Sequence, residues 1–85
     1  MDKKRVIELR GKAQMLKPTV YVGREGVTAS VVHELSNQVK KSKLVKVKIL
    51  PAVESDLQEI ADELARASSS ELIEIRGRTA VFAKE

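Results

Sequence analysis

The sequence predicts an α/β fold: a two-layer domain in the order α-β-α-β-α-β-β, with a four-stranded mixed sheet. Three observations carry that prediction. Val31, Leu35 and Val39 recur at i, i+4 and i+8, which puts them on one face of a helix. Residues 44–50 alternate instead, with Val45, Val47 and Ile49 pointing one way and Lys46 and Lys48 the other, as in a half-buried strand. Two strand-like runs, 71–76 and 79–84, flank Gly77-Arg78, the spacing of a two-residue hairpin.

The remaining elements follow in chain order. Residues 3–16 read as a helix, because Val6, Leu9, Ala13 and Leu16 recur at steps of three and four. Glu8 stands four positions before Lys12, a favourable pair, and Gly11 lies inside the helix at some cost. Pro18 ends it, since the residue before a proline avoids the helical region. Residues 19–22 form a short strand, followed by the loop Gly23-Arg24-Glu25-Gly26. Thr28 is an N-cap candidate for a second helix reaching about Lys41, with Lys40 and Lys41 at the negative end of its dipole. Ser55-Asp56-Leu57-Gln58 has the form of a capping box with Ser55 at the cap. The third helix then turns Leu57, Ile60, Ala61 and Leu64 inward and its acids largely outward.

Length and composition bound the function. Eighty-five residues make one small domain, taken here as 1–85, and about 60% of the unfolded surface can be buried. Hydrophobic residues make up 42% of the chain, enough for a continuous core, while 33% charged residues give a soluble surface. The absence of cysteine excludes disulfides and thiolate chemistry, and a lone histidine, His33, leaves little material for a catalytic triad or zinc site. No apolar run approaches the roughly 20 residues of a membrane span, and the charged N-terminus leads into no signal stretch. A cytoplasmic, non-enzymatic protein with no cofactor or metal is expected.

Charge is distributed unevenly. Residues 1–48 carry twelve Lys/Arg against four Asp/Glu, whereas residues 49–85 carry four against eight. A basic chain with its positive charge in one half has the profile of a polyanion binder. Within that half, the glycines of the Gly23–Gly26 loop let backbone approach a ligand closely, and the next helix directs its positive dipole end at the same place. A GxxG loop by itself is more often a structural turn, because many strand–helix turns hold two glycines for geometry. Arg24 inside the loop and Lys17 ahead of the strand favour phosphate. A dinucleotide fingerprint and a P-loop are both excluded, because the loop continues Val27-Thr28. Tyr21 and Phe82 are the only aromatic residues, both expected to pack in the core or sheet, so recognition would rest on phosphate contacts. His33, near Asn37 and off the apolar stripe, is expected to be structural. The acids of the third helix read as a solvated face.

Taken together, Leu9-Arg10-Gly11-Lys12-Ala13, Leu16-Lys17-Pro18, Val20-Tyr21-Val22-Gly23-Arg24-Glu25-Gly26-Val27-Thr28, Leu44-Val45-Lys46-Val47-Lys48 and Ile75-Arg76-Gly77-Arg78-Thr79-Ala80-Val81-Phe82 resemble the CRM domain, the YhbY-like family. The resemblance implies a fold similar to the C-terminal domain of bacterial translation initiation factor three. It also implies RNA binding through Gly23, Arg24 and Gly26 and through basic positions Lys12, Lys17, Lys46 and Lys48. Stand-alone prokaryotic members are associated with precursors of the large ribosomal subunit, and plant relatives with group II intron splicing. The chain departs from the family at Ser68-Ser69-Ser70, where glycine is common, and at Ala83-Lys84, where Tyr-Arg is common. The expected partner is therefore ribosomal RNA or a pre-ribosomal particle, bound by a monomer. The rival is an Alba-like general nucleic-acid or chromatin protein, which would favour duplex DNA and a stable dimer.

Overall fold

The computed structural model describes residues 2–51, 53 and 56–84. It contains α1 (Lys3–Ala13), β1 (Val20–Val22), α2 (Ala29–Ser42), β2 (Leu44–Ile49), α3 (Leu57–Ser68), β3 (Ser70–Arg76) and β4 (Thr79–Lys84). The strands form one mixed sheet in the order β1-β2-β4-β3, with β1 parallel to β2 and the other pairs antiparallel. The parallel pair requires a crossover, which α2 supplies.

Alternation along the strands separates two apolar clusters. Val20, Val22, Val45, Val47, Ile49, Ala80 and Phe82 point to one face and pack with Leu35 and Val39 of α2 and Ile60, Ala61 and Leu64 of α3. Val81, Ala83 and Ile73 point to the other face, where Leu9 and Ala13 of α1 cover them. The sheet and its α2–α3 cover are the two layers expected from the sequence, and α1 lies over part of the opposite face. A register shift between Leu72 and Glu74 keeps Ile73 buried under α1 while Glu74 stands opposite Val81.

Helix ends follow local chemistry, with differences of a few residues from the sequence reading. Asp2 caps α1 by accepting from the Lys4 amide, and Thr28 caps α2 by accepting from the Val31 amide at 3.2 Å. The cap of α3 is Asp56, whose carboxylate accepts from the Gln58 amide at 2.7 Å. Ser55, the expected cap, lies outside the described residues. α1 stops at Ala13 rather than reaching residue 16. Met15 and Leu16 bond back only three residues, to Lys12 and Ala13, so the helix tightens into a turn well before Pro18 and leaves Leu16 exposed. Glu8 pairs with Arg5 at 3.6 Å rather than with Lys12. Among the described residues nothing lies within 4 Å of where a Gly11 side chain would begin, so no close approach explains this glycine and the exposed helix surface tolerates it.

Ser69 ends α3 in the left-handed region at φ 56°, the conformation that favours glycine at a helix C-terminus. The neighbouring serines are occupied: Ser68 Oγ lies 2.6 Å from the Leu64 carbonyl and 2.7 Å from Ser70 Oγ. Ser69→Gly is therefore expected to raise the unfolding free energy by about 1 kcal/mol, because it relieves the left-handed penalty while sparing the bonded serines. Urea denaturation of the two proteins measures this. An unchanged midpoint would show that Ser69 carries no strain.

Candidate nucleic-acid interface

The loop after β1 is a turn closed by a bond from the Gly26 amide to the Gly23 carbonyl at 2.9 Å. Its glycines differ physically. Gly26 has φ 73°, a conformation that favours glycine, whereas a Cβ at Gly23 would meet only Leu50 Cδ1 at an ordinary 3.9 Å. Turn geometry thus explains Gly26 and leaves Gly23 without a steric reason. Arg24 and Glu25 between them are exposed, and the cap of α2 follows two residues after Gly26.

The basic residues singled out by sequence come from α1, the segment before β1, the loop after it and β2. Lys12 is exposed in the last turn of α1, and Lys17 is exposed just before β1. Lys48 stands exposed on the sheet face opposite the main core. The expectation that Lys46 shares this open face needs correcting. Lys46 is half-buried because the end of α1 lies over it, and its ammonium faces the Ala13 and Leu16 carbonyls at 3.5 and 3.4 Å. There it complements the negative end of the helix before it can serve any ligand. Tyr21 also differs from expectation. Phe82 is fully buried in the core, but Tyr21, on edge strand β1, is 53% exposed.

One residue that the sequence reading did not single out supports the loop. The Arg78 guanidinium donates to the carbonyls of Ile49, Leu50 and Val53 at 2.7–3.1 Å, and its own carbonyl accepts from the Ile49 amide at 2.8 Å. Leu50 in turn donates its amide to the Val22 carbonyl at 2.9 Å and touches the Cβ side of Gly23. The β3–β4 turn, the segment after β2 and the root of the GxxG loop are thereby tied together. Gly77, at φ 59°, supplies the conformation that brings Arg78 there. An arginine in a hairpin turn reads from sequence as a solvated charge, so its role had no sequence signal.

The remaining candidates stay outside this region's chemistry. His33 is exposed on α2 with its Nε2 at 3.1 Å from Asn37 Nδ2. On α3, Asp62 accepts from Gln58 at 3.0 Å, and Glu59, Asp62 and Glu63 are exposed. No helix among the described residues is long and apolar enough to cross a membrane.

The fold and this surface define a small basic α/β domain with a GxxG loop between a parallel edge strand and its crossover helix. The family model for the CRS1 / YhbY (CRM) domain matches residues 1–84, and the chain belongs to that family. Relatives include "Probable RNA-binding protein YqeI" of Bacillus subtilis, 34% identical over 77 residues, covering 91% of this chain and 80% of the relative. "Probable RNA-binding protein MJ0652" of Methanocaldococcus jannaschii is 41% identical over 71 residues, and the match takes in 81% of this chain and 52% of that protein. The chain therefore spans about half the length of this archaeal relative. Among solved structures, the Staphylococcus aureus protein SAV1595, described as a candidate RNA-binding protein, superposes with a TM-score of 0.85 at 26% identity, covering all of this chain and 88% of that one.

Proposed function

We propose that this protein is a non-enzymatic RNA-binding domain that engages structured ribosomal RNA or its large-subunit precursors. The Gly23–Gly26 loop acts as a backbone clamp, and Lys12, Lys17, Arg24 and Lys48 supply the surrounding positive charge. The names of its relatives support RNA as the ligand class, and family membership supports the ribosomal assignment. The observation that carries the clamp is Gly23. Its neighbourhood would accept a Cβ, so the bare backbone is explained by an approaching ligand better than by the turn itself. Exposed Arg24 adds a cation at that point, and the N-terminal end of α2 adds a favourable dipole. Lys46 contributes field from beneath while its ammonium remains with the α1 carbonyls. The domain acts as a cytoplasmic monomer in this reading. That distinguishes it from an Alba-like protein, which would prefer duplex DNA as a dimer.

The test is the double substitution Arg24→Asp and Glu25→Asp, which keeps both glycines and removes the cation while leaving two carboxylates where a phosphate would lie. Affinity for a ribosomal RNA fragment should fall roughly tenfold or more, through lost attraction and added repulsion. Stability should stay within about 0.5 kcal/mol, as for exposed positions generally. Unchanged affinity in the folded variant would defeat the clamp.

A further inference from the structure

Four side chains line up across the sheet on the face opposite the main core. Tyr21 of β1 pairs in register with Lys48 of β2, Lys48 with Thr79 of β4, and Thr79 with Arg76 of β3. Their neighbours Val20, Val22, Val47, Ile49, Ala80 and Ile75 all point into or against the main core, so alternation turns the four to the other side. α1, which packs over Leu44, Val81 and Ala83 on that face, does not cover the whole row: Tyr21, Lys48 and Arg76 are exposed. Lys48 and Arg76 enter no ion pair among the described residues. The Tyr21 hydroxyl donates to the Pro18 carbonyl at 3.4 Å, which tethers the tip of a ring that stays half exposed. At its far end the row opens into a pocket of about 180 Å³ between the end of α1 and the sheet, with Lys46, Glu74, Arg76 and Thr79 on its walls.

We infer that this row is a platform for a single-stranded RNA segment, with Tyr21 stacking an unpaired base and Lys48 and Arg76 holding the flanking phosphates. The inference rests on the RNA-binding reading above and assigns to it a strand type. An exposed aromatic ring beside cations on an open sheet matches the alternating base and phosphate chemistry of a single strand, whereas the bases of a duplex are stacked on one another and offer the ring no free face. The pocket sets the Glu74 carboxylate and the Thr79 hydroxyl beside Lys46 and Arg76, so a base edge or ribose can bond to Glu74 and Thr79 there while Arg76 holds the phosphate next to it. Tyr21 is two residues from Gly23, so a strand clamped by the loop continues directly onto the ring.

Tyr21 is the only tyrosine and the chain has no tryptophan, so intrinsic fluorescence of the intact protein reports this one ring. An unstructured oligoribonucleotide of about ten nucleotides should quench most of that emission at saturation. Tyr21→Ala should weaken its binding roughly tenfold to a hundredfold without changing the salt dependence, and Tyr21→Phe should bind like the parent. Lys48→Ala should instead lower the slope of log affinity against log salt by about 0.7. Salt-dependent RNA binding with unquenched emission, or with Tyr21→Ala unaffected, overturns the platform and leaves the RNA reading standing. Binding confined to duplex RNA does the same. A parent chain that binds neither this oligonucleotide nor a ribosomal RNA fragment overturns both.

Discussion

Arg78→Ala is expected to destabilise the domain by about 2–3 kcal/mol. One guanidinium holds the carbonyls of Ile49, Leu50 and Val53, and removing it leaves these acceptors in a partly buried segment without their charged donor. For a chain of this size the loss corresponds to a melting temperature lower by roughly 10–20 °C. Arg78→Lys should recover only part of it, because an ammonium cannot span three carbonyls as a planar fork does. Thermal unfolding followed by circular dichroism measures both variants. A melting point within a few degrees of the parent for Arg78→Ala would show that the clamp contributes little. Because the Leu50 segment supports the root of the GxxG loop, the loop amides should also shift in the NMR spectrum of Arg78→Lys while the distant α1 amides do not.

Raising the salt concentration should produce the largest change in binding. Five exposed cations stand along or beside the proposed path: Lys12, Lys17, Arg24, Lys48 and Arg76. If each neutralises one phosphate, log affinity falls with log salt at a slope of about −3.5 on a single strand and about −4.5 on a duplex. Between 50 and 200 mM salt that is a loss of roughly a hundredfold in the first case and roughly five hundredfold in the second. Titrations at several salt concentrations therefore measure the number of phosphates contacted. A slope near zero would overturn the electrostatic model.

Both predictions depend on features of unequal visibility in the sequence. The α/β class, the four-stranded sheet and the hairpin turn were legible because period and composition report burial directly. Val45, Val47 and Ile49 alternate with lysines, and all three are buried. The Val31, Leu35 and Val39 stripe is the face that α2 turns to the core. Thr28 caps α2 as its hydroxyl predicts, since a cap is made within three residues of chain. The GxxG loop and its exposed Arg24 were equally local.

What the sequence determined by itself was the set of elements, which of their faces are apolar, and a basic first half built around a glycine loop. These depend on interactions between residues a few positions apart. Tertiary structure decided which face of the sheet each charged or aromatic side chain shares, and with what. The end of α1 folds over Lys46 and takes its ammonium for the Ala13 and Leu16 carbonyls, 30 or more residues away in sequence. Arg78 reaches back 25 to 29 residues to fasten the segment after β2. Strand order sets Tyr21, Lys48, Thr79 and Arg76 in one row, though they come from four strands. Alternation can state that a lysine points away from the core, but only long-range packing determines whether solvent, a helix end or an aromatic neighbour is waiting on that side.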